Sequence, residues 1–442
     1  MSARAQRLVD AARDAPFRSH CGRVVACNGL VLEARGPRSA LGDLCSVEVN
    51  GRGALDAQVI GFRDDRVLLM PFGDAQGVSV GAVVRAGGGQ RDVAVGEALL
   101  GRVVDALGQP IDGLGPIEHT AQVPLHHAPI QPLERAEVTE VLETGVRSID
   151  TLVTLGRGQR VGIFAGSGVG KSTLLGMLTR QAKADVIVVA MVGERGREVG
   201  DFIAESLGEE GLARAVVIAA TADQPPLLRI HAVHAAHATA EYFRDQGLDV
   251  LLVVDSMTRF AMAQREIGIA AGEPPASRGY PPSVFTWLPR IFERCGRLRR
   301  GGSITAVYTV LVEGDDMNEP VADHMRAILD GHIVLARGLA DRGQLPAIDV
   351  LRSVSRLMGR LATPEERELA TRTRALLAAY ERSRDLIGMG AYQSGHDPVL
   401  DDAVRVLPEL ERLLRQNPDD RSSRKQALAA LVTVVGATEV GA

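Results

Sequence analysis

No stretch of this chain limits its folding as tightly as Ala165-Gly-Ser-Gly-Val-Gly-Lys171-Ser172-Thr173. It follows an apolar run, Val161 to Phe164, and leads into Leu174, Leu175, Met177 and Leu178 at helical spacing, which gives strand, glycine loop, helix. Backbone N–H groups of such a loop, here Gly166, Ser167, Gly168, Val169 and Gly170, close around the β- and γ-phosphates of a nucleotide, and the helix N-terminus adds positive partial charge. Lys171 adds an ammonium and Ser172 a hydroxyl for Mg²⁺, with Thr173 completing the motif. The strict pattern has Gly where Ala165 stands; Ala is small enough for the turn if its φ is negative.

A chain of 442 residues has room for two or three domains, and 45% hydrophobic with 24% charged residues describes a soluble globular protein with a large core. A formal net charge of −5 gives no basic footprint, and 3% aromatic content leaves few stacking platforms, so nucleic acid is a disfavoured partner. Cys21, Cys27, Cys45 and Cys295 form no CxxC pair and have no closely spaced His partners, which predicts neither zinc nor disulfides but thiols in a reducing cytosol. No apolar run reaches the length of a membrane span, and Met1 to His20 lacks the apolar core of a signal peptide; the expectation is a cytoplasmic protein. Leu8 and Val9 with Ala5, Ala11 and Ala12 read as a frayed terminus or as a short amphipathic helix for a partner or membrane surface.

From Gly22 to about Val95 short β-rich runs alternate with turns: Val24-Val25, Leu30 to Leu32, Cys45 to Val49, Ala57 to Gly61, Val67 to Met70 and Val83-Val84. The pattern predicts a small antiparallel barrel. Gly101 to Pro110 opens a second block, followed by a Pro- and His-rich loop through Pro132. Val186 to Val192, Ala215 to Ala219, Val250 to Val254, Ile304 to Val310 and His332 to Leu335 are apolar, β-branched runs separated by helical or loop segments, as buried parallel strands with crossover helices are. Beyond Thr363-Pro364 the chain turns charged and helical, with candidate helices at Leu369 to Tyr380, Val399 to Leu414 and Arg424 to Val434. The expected division is an N-terminal segment 1–21, a barrel 22–95, an α/β domain 96–365 and a helical domain 366–442.

Leu251 to Asp255 is an apolar strand ending in a carboxylate, the arrangement that holds Mg²⁺ through water beside the Ser172 hydroxyl. Many ATPases place a Glu directly after that Asp, but Ser256 follows here, so the group that activates water must come from elsewhere. Gly193-Glu194-Arg195-Gly-Arg-Glu198 supplies it, because it ends the next strand after the loop helix and an open α/β sheet binds its ligand at strand carboxyl ends. An exposed charged loop is the alternative for this stretch. His231, His234 and His237 fall at i, i+3 and i+6; that spacing can ligate a metal, but no carboxylate partner is indicated and a helical face is favoured.

Ala165 to Ser172, Gly193 to Val199, Asp255-Ser-Met-Thr-Arg259-Phe-Ala, Gly279 to Phe285 and Pro346-Ala-Ile-Asp-Val-Leu-Arg-Ser-Val-Ser-Arg356 stand in a telling order and spacing. In them the chain resembles the ATPases related to the catalytic subunits of the rotary ATP synthase, from about Gly22 to about Pro408. Within that family it looks most similar to the ATPases of type III protein export, which usually carry Ala at the Ala165 position. Met262 to Pro275, Val312 to Asp323 and Gly390 to Pro398 are similarly export-like. Met70-Pro-Phe-Gly-Asp and Gly113-Leu-Gly-Pro lean flagellar, whereas Pro346 to Arg356 fits an injectisome equally well.

The resemblance implies an α/β fold with a RecA-like P-loop core, an N-terminal β-barrel and a C-terminal helical domain. It implies ATP and Mg²⁺ as ligands, Lys171 and Ser172 on phosphate and metal, Asp255 on the metal, and Glu194 activating water. Arg195 and Arg259 match positions that steady the catalytic Glu or reach the γ-phosphate. Arg356 matches the arginine that one subunit inserts into its neighbour's site, and because the chain carries both Glu194 and Arg356, a homohexamer contains complete sites. The family usually stacks a Tyr on adenine where this chain has Leu345, which replaces stacking by an aliphatic wall at a cost of ~1 kcal/mol and predicts looser nucleotide preference. Tyr392 aligns with a second adenine-contacting aromatic, a core tyrosine being the alternative. Arg294, Arg297, Arg299 and Arg300 cluster around Gly301-Gly302, in a loop that in the family faces the central channel; they read as a solvated basic turn, or as a contact for an acidic stalk or substrate protein.

The expected function is therefore a hexameric motor of type III export, flagellar in preference to injectisome, that releases and unfolds chaperone-bound substrates. Its expected partners are itself, the negative regulator, the central stalk, the membrane export gate and chaperone–substrate complexes, at the inner membrane's cytoplasmic face. A termination helicase of related sheet topology is disfavoured because residues 22–95 offer only Phe62 and Phe72 as aromatics and no basic excess. A non-catalytic scaffold subunit is disfavoured by Glu194.

Overall fold

Short strands with one buried face need a partner on each edge, and the first six satisfy this by closing on themselves. In the computed structural model, which describes residues 21–436 apart from 52, 90, 119, 120, 313 and 315, they are β1 (Cys21–Asn28), β2 (Val31–Arg35), β3 (Leu44–Val49), β4 (Gly53–Arg63), β5 (Arg66–Pro71) and β6 (Val83–Ala86). They form a closed barrel in the order β1-β2-β5-β4-β3-β6, antiparallel at every junction. Val24, Leu32, Cys45, Val47, Val59, Leu69 and Val84 fill it. Each of the six predicted runs falls on one of these strands. The helix considered around Leu8 and Val9 lies outside the described residues. The barrel, together with Pro225–Leu227 and Glu266–Pro274, forms one compact unit, and Val93–Gln224, Leu228–Arg265 and Pro275–Ala442 form the other.

In the second unit β7 (Asp92–Val95), β8 (Val103–Asp105) and β9 (Ala121–Pro124) precede the main sheet strands β10 (Arg160–Ala165), β11 (Val186–Val192), β12 (Ala215–Ala220), β13 (Asp249–Asp255), β14 (Gly296–Arg297), β15 (Ser303–Leu311), β16 (Gly331–Leu335) and β17 (Val354–Ser355). The sheet order is β17-β16-β10-β15-β13-β11-β12-β8, with β14 paired to β15. The six strands from β16 to β12 in that order, and the edge strand β8, run parallel; β17 and β14 are antiparallel additions. All seven residues of β11 and all six of β12 are buried, which is why these strands read as unbroken apolar runs rather than alternating ones. Non-sequential neighbours such as β10 and β15 put the ends of β10, β15, β13 and β11 side by side, and the loops leaving the carboxyl ends of β10, β13 and β11 carry the motif residues.

The C-terminal helices are Pro364–Gly388, Pro398–Leu414 and Arg424–Gly436; the first is about twice as long as the predicted Leu369 to Tyr380, and the other two extend the predicted spans by one and two residues. The first starts where the sequence announces it: Thr363 accepts from the Glu366 N–H, the Glu366 carboxylate accepts from the Thr363 N–H, and Pro364 stands at the first helical position. Ala370, Leu376, Ala403, Leu410 and Leu431 on these helices join the core cluster that contains Val161, Ile163 and Leu174. This helical layer is therefore continuous in packing with the sheet's core.

Candidate active site

β10 ends at Ala165, and the chain turns through residues 166–170 before the helix Lys171–Gln181 begins. Gly168 and Gly170 hold φ of 75° and 94°, values that a side chain resists, whereas Ala165 has no positive φ and fits its place in the turn. Arg337 donates to the Ser167 carbonyl at 2.8 Å from outside the loop. Ser172 sits exposed in the first turn of the helix and Thr173 is half-buried beside it.

Lys171 is the centre of the site. Its Nζ donates to Asp255 Oδ1 and, at 3.3 Å, to Glu194 Oε1, so residues 23 and 84 positions away converge on one ammonium. Asp255 ends β13, buried, and Thr309 of β15 also donates to its Oδ1, at 2.6 Å. Its Oδ2 accepts no hydrogen bond among the described residues and is left for another ligand. Glu194 follows β11, with its main chain fixed by the Ala222 N–H donating to the Glu194 carbonyl. Burial pushes the Glu194 carboxyl up to about 7; the Asp255 charge adds to this, and the Lys171 ammonium opposes it. The two carboxylates raise the Lys171 ammonium above its ordinary value despite burial, so it stays charged.

Gly193 allows the loop to pass Arg259. It holds φ of 67°, and a Cβ there would stand 2.8 Å from the Arg259 Cβ. The Arg259 guanidinium reaches Met262 Sδ at 3.7 Å, and its Nε is buried without a hydrogen-bond partner. Arg195 lies elsewhere: its side chain is 85% exposed and faces Glu198 at 3.8 Å, away from Lys171.

The remaining predicted residues stand around or outside this centre. Leu345 is 42% exposed, and its Cδ2 would lie 3.6 Å from a Cβ on Gly170, which sets an aliphatic side chain against the phosphate loop. Arg356 follows β17, is exposed, and donates to the carbonyls of Arg326 and Ala327 rather than to any site residue. The turn between Leu345 and Arg356 is held from the helical layer by Arg374, which donates to the carbonyls of Val350, Ser353 and Leu152. Tyr392 is half-buried rather than in the core, and donates to Asp401 at 2.5 Å.

One expectation from the sequence changes. Arg294 is no part of a solvated basic turn: it is buried and doubly hydrogen-bonded to Glu241, whereas Arg297 pairs with Glu140 and Arg300 is exposed. A buried guanidinium needs such a partner, and the separation of 53 positions between the two hid it. His231, His234 and His237 are all buried on the helix Pro226–Asp245, where His237 bonds to the Tyr308 hydroxyl and His234 to Arg294, and no group of three metal-ligating side chains exists among the described residues. Sequence reasoning missed Thr309, which is one of four hydroxyl residues on β15, with Ser303, Thr305 and Tyr308, and is not singled out by the sequence.

Residues 24–88 match the beta-barrel domain of the ATP synthase alpha/beta family, residues 145–355 its nucleotide-binding domain, and residues 362–433 the C-terminal domain of the type III secretion ATPase EscN. The chain is 48% identical to the flagellum-specific ATP synthase of Bacillus subtilis, over 98% of its own length and 99% of that protein. The chain belongs to the flagellar and type III secretion branch of the ATP synthase alpha/beta family. This ATPase is also 50% identical to the flagellum-specific ATP synthase of Salmonella typhimurium, with 93% and 92% of the two chains covered. To the type 3 secretion system ATPase of Xanthomonas euvesicatoria it is 47% identical, with 93% of each covered. The assembled EscN of enteropathogenic E. coli superposes with a TM-score of 0.89 at 42% identity, covering 94% of this chain and all of that one. Family and fold agree: a barrel, a P-loop sheet domain and a helical layer in the same order. No helix among the described residues is long and apolar enough to cross a membrane.

Proposed function

We propose that this ATPase works as a homohexameric motor of flagellar protein export, with each nucleotide site shared between two subunits. One observation carries the reading: Lys171, Glu194 and Asp255 interlock within a single chain, while Arg356 is exposed and turned away from them. A finger arginine of that placement serves a neighbour's site. EscN, the structural relative, is described as assembled, and also in complex with its central stalk EscO.

The site's chemistry follows from its charges. Lys171 is held by two carboxylates, and phosphate oxygens compete with them for the same ammonium, so ATP binding releases Glu194 from its cationic partner. Glu194 then takes a proton from the attacking water. Arg259, which has no acidic partner, is placed to meet the γ-phosphate, with Arg195 swinging in from its exposed position. The free Oδ2 of Asp255 and the Ser172 hydroxyl fit Mg²⁺, held through water on the Asp255 side. When bound, Mg²⁺ neutralises charge on the phosphate oxygens. Leu345 packs against the purine. Work from this cycle releases and unfolds chaperone-bound substrates at the export gate, on the cytoplasmic face of the membrane.

The injectisome is the second reading, favoured by the match of residues 362–433 to the EscN C-terminal domain. The experiment is replacement of the gene by its Glu194→Gln variant in the source organism. The flagellar reading expects cells without external filaments; filaments at parental length with loss of needle-type secretion would transfer the function to the injectisome.

A further inference from the structure

A cavity of about 370 Å³ opens between the helix Pro282–Phe292 and the segment 126–129, and none of its lining residues belongs to the nucleotide site. Its floor is a built polar network. Arg294, 2% exposed, donates twice to Glu241 at 2.8 Å; Glu241 also meets His127 Nδ1 at 2.5 Å; and Arg294 Nη1 lies 3.2 Å from His234 Nδ1. Arg294 and Glu241 thus neutralise each other. The other cation in the lining, Arg290, is exposed and has no ion pair among the described residues; its guanidinium lies 5.6 Å from the centroid of Trp287.

His126 closes the opposite wall, its ring 4.3 Å from that of His234. Burial and the field of Arg294 push its pKa down to about 4, so the imidazole is neutral at physiological pH. Its Nδ1 is buried without a hydrogen-bond partner, a vacancy that a ligand atom can fill. Trp287, Ile291 and Pro129 supply apolar wall. One unmatched cation, one unpartnered ring nitrogen and a flat apolar wall describe a ligand: an apolar body carrying a single negative charge. A metal ion does not fit beside two arginines and neutral imidazoles stacked edge to face.

We propose that this pocket binds a small organic carboxylate, its ring or hydrocarbon body against Trp287 and Ile291 and its oxygens on Arg290 and His126. The chain's single tryptophan is Trp287 itself, so the full-length protein reports on the pocket without a label. Benzoate is the probe, with benzamide and acetate as the uncharged and bodiless controls, read by tryptophan fluorescence and by calorimetry. Benzoate should give a saturable response in the parent and in Lys171→Ala, which separates this pocket from the nucleotide site. Benzamide and acetate should each need at least about tenfold higher concentration, since each lacks one half of the recognition. Arg290→Gln should weaken benzoate by about tenfold or more while ATP turnover stays parental, and Arg290→Lys should retain binding within about threefold. A parent that shows neither a saturable fluorescence change nor heat overturns the proposal. So does benzamide binding equal to benzoate, or an Arg290→Gln titration that matches the parent.

Discussion

The two edges of the nucleotide site are built in opposite ways. Around the phosphate loop, Lys171, Glu194, Asp255 and Thr309 come from four neighbouring strand ends and satisfy one another at hydrogen-bond distance, away from water. Along the turn from Leu345 to Arg356, the residues that matter are exposed, and they are positioned by main-chain bonds and by Arg374 from behind. Buried charges without partners are costly, so the first edge is complete within one chain. An exposed arginine and an exposed leucine carry no such penalty and are free to be completed from outside. On the proposed reading, binding and proton transfer fall to the chain's own residues and transition-state charge falls to a second copy.

That comparison breaks first at Lys171. Lys171→Ala removes the ammonium that both carboxylates hold, and nucleotide binding and turnover should both fall to background; hydrolysis at the parental rate would show the phosphate site is elsewhere. Glu194→Gln is the next largest effect: ATP should still bind, with turnover down roughly 10² to 10⁴-fold. The same residue sets a pH dependence. Its carboxyl is raised to about 7 in the free protein and must be ionised to act as base, so kcat/KM should fall as pH drops below that value and the acid limb should vanish in Glu194→Gln. A limb that persists in the variant assigns the titration to another group.

Smaller changes sharpen the contrast. Thr309→Val takes one of two hydrogen bonds from Asp255 Oδ1, worth about tenfold in turnover at most, with thermal stability little changed. An unaltered rate would reduce Thr309 to packing. Leu345→Tyr should tighten ATP binding by about fivefold, since stacking adds ~1 kcal/mol where an aliphatic wall now stands. An unchanged dissociation constant would mean that the base does not rest on residue 345.

The first edge was largely legible in the sequence because buried parallel strands are written as unbroken apolar runs and their ends carry the chemistry. β11 begins and ends at the predicted residues, and Glu194 and Asp255 stand where those runs stop. What the sequence hid depended on contacts between distant segments. Arg294 read as solvated because Glu241 is on another helix, and Thr309 read as a strand residue because Asp255 is 54 positions away. Arg195 follows Glu194 directly yet is 85% exposed, with Glu198 as its neighbour at 3.8 Å. The bond from Tyr392 to Asp401 joins residues nine positions apart and has no signal in the sequence.

Mixing two inactive variants tests the shared site most directly. Arg356→Ala keeps an intact phosphate loop and lacks the finger; Lys171→Ala keeps the finger and lacks the loop. If Arg356 acts across an interface, each alone should be nearly dead. An equal mixture in randomly assembled rings should recover hydrolysis, with complete sites at about a quarter of the interfaces. Mixed rings demonstrated by pull-down that recover no hydrolysis would contradict the account, because Arg356 would then serve only its own chain.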